Sequence, residues 1–100
     1  MTHLTLLVLN AIADDYEDLE IILVDAGKWA ERDRIDFTEG GVRESLVELI
    51  QAGLARAYEY SQAAQRFEVV PIASGPQVKE DHWFLITAEG KKLLQEPISG

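Results

Sequence analysis

The most restrictive feature of this sequence is a helix that hands the chain directly into a strand. Val42, Leu46, Leu49 and Ile50 recur at the spacing of one helical face. Thr38 stands before them as an N-cap, Glu39 follows in the first turn, and Gly53 is a C-terminal stop. Residues 54–60 then alternate, which places Arg56, Tyr58 and Tyr60 on one face of a strand and Ala55, Ala57 and Glu59 on the other. Such a strand needs a partner for its backbone groups. The best one is residues 81–87, where His82, Trp83, Phe84, Leu85 and Ile86 form a β-favouring run. The connection between the two, residues 61–80, is longer than an ordinary hairpin loop. Phe67, Val69 and Ile72 are able to pack part of it back as an extra strand, with Ser74, Gly75 and Pro76 as a turn.

Two helices are expected upstream. Leu4, Leu7, Val8, Ala11 and Ile12 make one stripe of a helix over roughly residues 3–13. Asp18 is the N-cap of a second helix from about Leu19 to Asp33, in which Ile21, Ile22, Val24, Ala26, Trp29 and Ala30 are the apolar positions. Gly27 inside it is a place for a corner between two shorter helices. Ile35, Asp36 and Phe37 alternate as a three-residue strand. After residue 86, Thr87 caps a short final helix that holds Leu93 and Leu94.

With 100 residues, 47% of them apolar, there is material for one compact core. The reading is therefore a single α+β domain over residues 1–96, with a tail at 97–100. Cysteine is absent, which excludes disulfide scaffolds, thiolate metal sites and cysteine nucleophiles. His3 and His82 have no metal-ligand spacing. The carboxylates that start at Asp14 do not follow a calcium loop, whose sixth position is a glycine where this chain has Leu19. Gly40 and Gly41 lack the lysine and hydroxyl of a phosphate loop. No nucleophile, base and orienting group can be assembled, so no enzyme and no cofactor are expected. The apolar run at residues 4–9 is too short for a membrane span, and the chain reads as a soluble cytoplasmic protein with no membrane partner.

Val42, Leu46, Leu49, Gly53 and Leu54 resemble the third helix and first wing strand of winged helix-turn-helix domains. Phe84, Ile86, Thr87, Gly90 and Leu94 resemble the second wing strand and the turn after it. Across roughly residues 4–94 the chain is similar to bacterial winged-helix transcription regulators of the phenolic-acid and multiple-antibiotic-resistance repressor type. The resemblance implies three main helices, a two- or three-stranded antiparallel wing sheet and a short C-terminal helix. It also implies a third helix that enters the DNA major groove and a wing that touches the backbone.

On that basis the outward face of the third helix presents Glu39, Gly40, Arg43, Glu44, Val47, Glu48 and Gln51. Arg43 and Gln51 are the candidate base readers, and Lys28, Arg32, Arg34 and Arg66 are the candidate phosphate contacts. Charge pulls the other way, since the net value is −9. Residues 1–27 hold Asp14, Asp15, Glu17, Asp18, Glu20 and Asp25 without a single lysine or arginine. The alternative to a DNA-binding regulator is therefore an acidic adaptor that docks a protein through Asp14, Asp15, Glu17, Asp18 and Glu20. Trp29, Tyr58, Tyr60, Trp83 and Phe84 are expected in the core, because large aromatic rings are usually buried. Trp83 and Tyr60, if partly open, would be natural contacts of a homodimer.

Overall fold

The computed structural model describes residues 2–95; the tail expected at 97–100 lies outside the described residues. The chain runs through α1 (His3–Ala11), β1 (Glu17–Asp18), α2 (Leu19–Asp33), α3 (Glu39–Gln51), β2 (Ala55–Ser61), β3 (Arg66–Val70), a single 3₁₀ turn (Gly75–Gln77), β4 (Trp83–Ile86) and α4 (Ala88–Gln95). The fold is α+β. Among the described residues, four α-helices accompany one antiparallel sheet of four strands in the order β1-β4-β2-β3.

Each α-helix starts where a short polar side chain takes up an orphan amide. The Thr2 hydroxyl accepts from the Thr5 amide at 3.1 Å, and the Asp18 carboxylate accepts from Ile21 at 2.9 Å. Thr38 accepts from Gly41 at 2.9 Å, and Thr87 accepts from Gly90 at 3.1 Å. α3 ends as expected, with Gly53 in the left-handed region at φ 77°. α2 has the expected bounds but no corner, because Gly27 answers a packing need. A β-carbon there would stand 3.3 Å from the Phe37 ring, which lies across the helix at this point.

The expected strand at Ile35, Asp36 and Phe37 does not form. Arg34 closes α2 in the left-handed conformation at φ 57°, and the Ile35 amide donates back to the Ala30 carbonyl at 2.8 Å. The segment thus serves to end a helix and to deliver Phe37 onto it. The short strand of the sheet is β1 instead, between α1 and α2, with Glu17 opposite Phe84 and Asp18 opposite Trp83.

The central pairing is as the alternation predicts, with Ala55 opposite Ile86 and Ala57 opposite Phe84. The extra strand also forms, but as the outer member of the sheet on the free side of β2, with Tyr58 opposite Val69 and Tyr60 opposite Phe67. Ile72 does not belong to it. Together with Val78, Ile72 drops into the core, so the connection from β3 to β4 folds back over α3.

The core lies between the helices and one face of the sheet. Val8, Leu9, Ile12, Leu19, Ile22, Val42, Leu46 and Leu49 meet Ala55, Ala57, Phe84 and Ile86 there. Successive strand residues point to opposite faces, so Arg56, Tyr58, Tyr60, Phe67, Val69, Trp83 and Leu85 share the other face. That face is partly open, with Tyr60 at 50% and Val69 at 59% exposure.

Candidate functional site

Helix α3 was expected to carry the recognition surface, and its polar residues are largely engaged within the fold. Arg43 Nη1 donates to the Val78 carbonyl, and its Nε lies 3.6 Å from a Glu39 carboxylate oxygen. The side chain is 23% exposed. Gln51 Nε2 donates to the Ala73 carbonyl at 3.3 Å. Both expected base readers therefore tie α3 to the connection that folds over it. That connection is ordered by its own bonds as well: the Gln77 side-chain oxygen accepts from the Ala73 and Ser74 amides at 2.6 and 3.2 Å. On the opposite flank, the Thr5 hydroxyl donates to Glu48 at 3.1 Å and meets the Ser45 hydroxyl at 3.2 Å. What α3 leaves exposed is Glu39, Gly40, Glu44, Glu48 and Gln51, a surface with three carboxylates and no cation.

The tether has a measurable consequence. Arg43→Leu keeps much of the apolar stem and leaves the carbonyl of the fully buried Val78 without its donor. The expected cost is about 1–2 kcal/mol, with faster amide exchange concentrated at Gln77 and Val78, whose amides close the 3₁₀ turn. Unchanged stability and exchange would mean that the guanidinium is free for an external ligand.

The expected phosphate contacts do not form one group. Lys28 and Arg32 lie exposed on the second half of α2, and Arg34 follows at its C-cap. Arg32 Nε pairs with Asp33 at 3.1 Å, and Arg66, at the start of β3, stands 3.8 Å from Glu68. With Arg43 on α3, the candidate cations occupy three separate elements, α2 with its C-cap, α3 and β3, and Arg32, Arg43 and Arg66 each have a carboxylate neighbour.

The acidic residues come together more closely. Asp14 and Asp15 sit in the turn after α1, Glu17 and Asp18 form β1, and Glu20 opens α2. The Glu17 carboxyl is held above its usual range, first by partial burial and then by Asp25, Asp15, Asp18 and Asp14. The patch extends toward α3 through a cleft of about 170 Å³ lined by Asp18, Leu19, Glu20, Leu23, Glu39 and Glu80.

Tyr16, in the middle of this acidic run, joins it to the open sheet face. Its ring stacks on Phe67 with centroids 4.0 Å apart and planes 8° from parallel. Tyr58 meets Tyr16 edge-on at 5.1 Å, while Tyr60 and Trp83 stand 5.3 and 5.7 Å from Phe67. Of the five aromatics expected in the core, Phe84 is fully buried and Trp29 packs against the core. Tyr58, Tyr60 and Trp83 instead belong to this outer cluster. The sequence pattern alone does not mark Tyr16 or Phe67 as site residues. The signal for Phe67 lies in its register with Tyr60, which exists only once β3 is paired.

His82 is buried, with Nδ1 accepting from the Lys79 amide at 3.2 Å and Nε2 3.5 Å from Glu59; His3 is exposed. Among the described residues, no three His, Asp or Glu side chains are placed to hold a metal ion. No helix among them is long and apolar enough to cross a membrane. No family model, curated protein or solved structure matches this chain.

Proposed function

We propose that this chain is a winged-helix module that works by binding another protein and catalyses no reaction of its own. Support for the winged-helix assignment comes from the element order. A short strand separates α1 from α2, α3 runs directly into β2, and β4 returns between β1 and β2. In this reading β3 and the turn after it are an elaboration of the wing.

The observation that carries the protein-binding half is the chemistry of α3. Its exposed surface offers Glu39, Glu44 and Glu48, and its one arginine is occupied by the Val78 carbonyl and Glu39. A helix placed in the major groove would bring those carboxylates among phosphates spaced about 1.7 Å apart along the axis, with no cation to release counterions. The same carboxylates suit a basic protein surface.

Fluorescence anisotropy with a pool of labelled mixed-sequence duplexes at low salt tests the choice, because the electrostatic contribution to DNA binding is largest there. No saturable binding is expected. Saturable binding that fades steeply as salt is raised would overturn the protein-binding reading in favour of the DNA-binding regulator.

A further inference from the structure

We propose that the outer face of the sheet, centred on Phe67, is a docking surface, and that its occupant is a basic segment of a partner protein whose arginine or lysine side chains lie on the exposed Tyr60 ring and the half-buried rings around it. This rests on the protein-binding reading and goes beyond it, placing a contact on the sheet face turned away from the helices.

The surface exists because the strand alternation sorts small residues inward and large ones outward. Ala55 and Ala57 face the core, while Tyr58 and Tyr60 share the outer face with Phe67, Val69 and Trp83. Tyr16 adds a sixth side chain by stacking on Phe67. Folding does not require five aromatic rings on a face that leaves Tyr60 half exposed and Val69 more so. A contiguous patch of this kind marks a contact surface.

Charge selects the occupant. Tyr16 is flanked in the chain by Asp14, Asp15, Glu17 and Asp18, and the first lysine or arginine after the N-terminus is Lys28. Arg56, at the Leu85 end of the same face, is its one cationic residue. The Glu17 carboxyl is held above its usual range first by partial burial and then by the neighbouring carboxylates Asp25, Asp15, Asp18 and Asp14, and an incoming cation relieves that second contribution. Rings beside carboxylates are what a guanidinium or ammonium group binds, through cation–π contact and ion pairing together. A second copy of the chain, at −9, would set one acidic rim against another. The patch therefore favours a cationic partner over a homodimer.

The test uses the whole chain and a labelled short peptide that alternates arginine with leucine, with a glutamate–leucine peptide as control. Saturable binding of the basic peptide, weakened by salt and absent for the acidic one, is expected. The double variant Tyr60→Ser/Val69→Ser changes only exposed positions, and its circular dichroism should match that of the parent. It should weaken binding about tenfold. Asp14→Asn/Asp15→Asn should also weaken it and flatten its salt dependence.

Failure of the peptide to bind overturns the proposal. So does binding that responds to the aspartate pair but not to Tyr60→Ser/Val69→Ser, because the acidic turn alone would then be the site. Self-association in sedimentation that the Tyr60→Ser/Val69→Ser variant abolishes would name a second copy as the occupant and likewise overturn it. If neither duplex nor peptide binds, this surface assignment fails while the broader protein-binding reading stands; duplex binding removes that reading itself.

Discussion

Phe84→Ala is expected to remove about 3–5 kcal/mol of stability, a large part of what a domain of this size possesses. The ring is fully buried on β4, directly opposite Ala57. It belongs to the one buried cluster that also holds the helical residues Leu19, Ile22, Val42 and Leu46. Its neighbours on the inner face of β2 are Ala55 and Ala57, side chains too short to move into the vacated volume. The cavity therefore stays open, and the cost belongs at the upper end of the usual range. Urea denaturation followed by circular dichroism should show a much lower midpoint with an unchanged slope. A loss below about 1 kcal/mol would mean that the ring is not the main filler of this core. The adjacent Trp83→Ala makes the contrast, since Trp83 is only partly buried on the opposite face. Its effect on stability should be clearly smaller.

The same alternation marks how far the residues alone carry the fold. The bounds of α2 are legible because Asp18 caps one end and the apolar periodicity stops at the other. α3 and its handover to β2 are legible because Thr38 and Gly53 act locally. β1 is not. Two residues, Glu17 and Asp18, have no strand pattern, and they pair with β4 only because α1 and α2 bring them beside it. Ile35, Asp36 and Phe37 show the reverse error, a β-like pattern whose apolar members are used to close and cover α2.

The candidate site divides in the same way. Helical periodicity places Arg43 at the border of the buried stripe, but whether that border is open depends on a segment some thirty residues away in sequence. Ile72 and Val78 draw that segment over α3, and Arg43 then becomes a tether. The acidic run was visible directly. The aromatic face was obscured by the general tendency of large rings to be buried, whereas here the two alanines of β2 take the inner positions and the tyrosines are turned outward.

A glycine at the far end of the domain separates stability from docking. Gly90→Ala is expected to cost about 2–3 kcal/mol, although alanine in place of glycine within an exposed helix gains up to about 1 kcal/mol. The sign reverses because a β-carbon at this position of α4 would stand 2.3 Å from the Leu54 carbonyl oxygen and 2.6 Å from Ile86 Cγ1. Neither neighbour can easily retreat. The Leu54 carbonyl accepts from the Thr87 amide at 3.0 Å, and the Thr87 hydroxyl donates to the Gly53 carbonyl at 2.7 Å while capping Gly90. The α3–β2 turn, the end of β4 and the start of α4 are thus bound at one point, and relief requires α4 to move away as a unit. Thermal melting should fall by several degrees. Phe67, Tyr60 and Val69 lie on other elements, so the folded fraction should keep its affinity for the basic peptide at low temperature. Stabilisation by the alanine would mean that α4 does not pack against Leu54. Loss of peptide affinity in a chain that is still folded would mean that docking reaches α4, and not the outer face of the sheet alone.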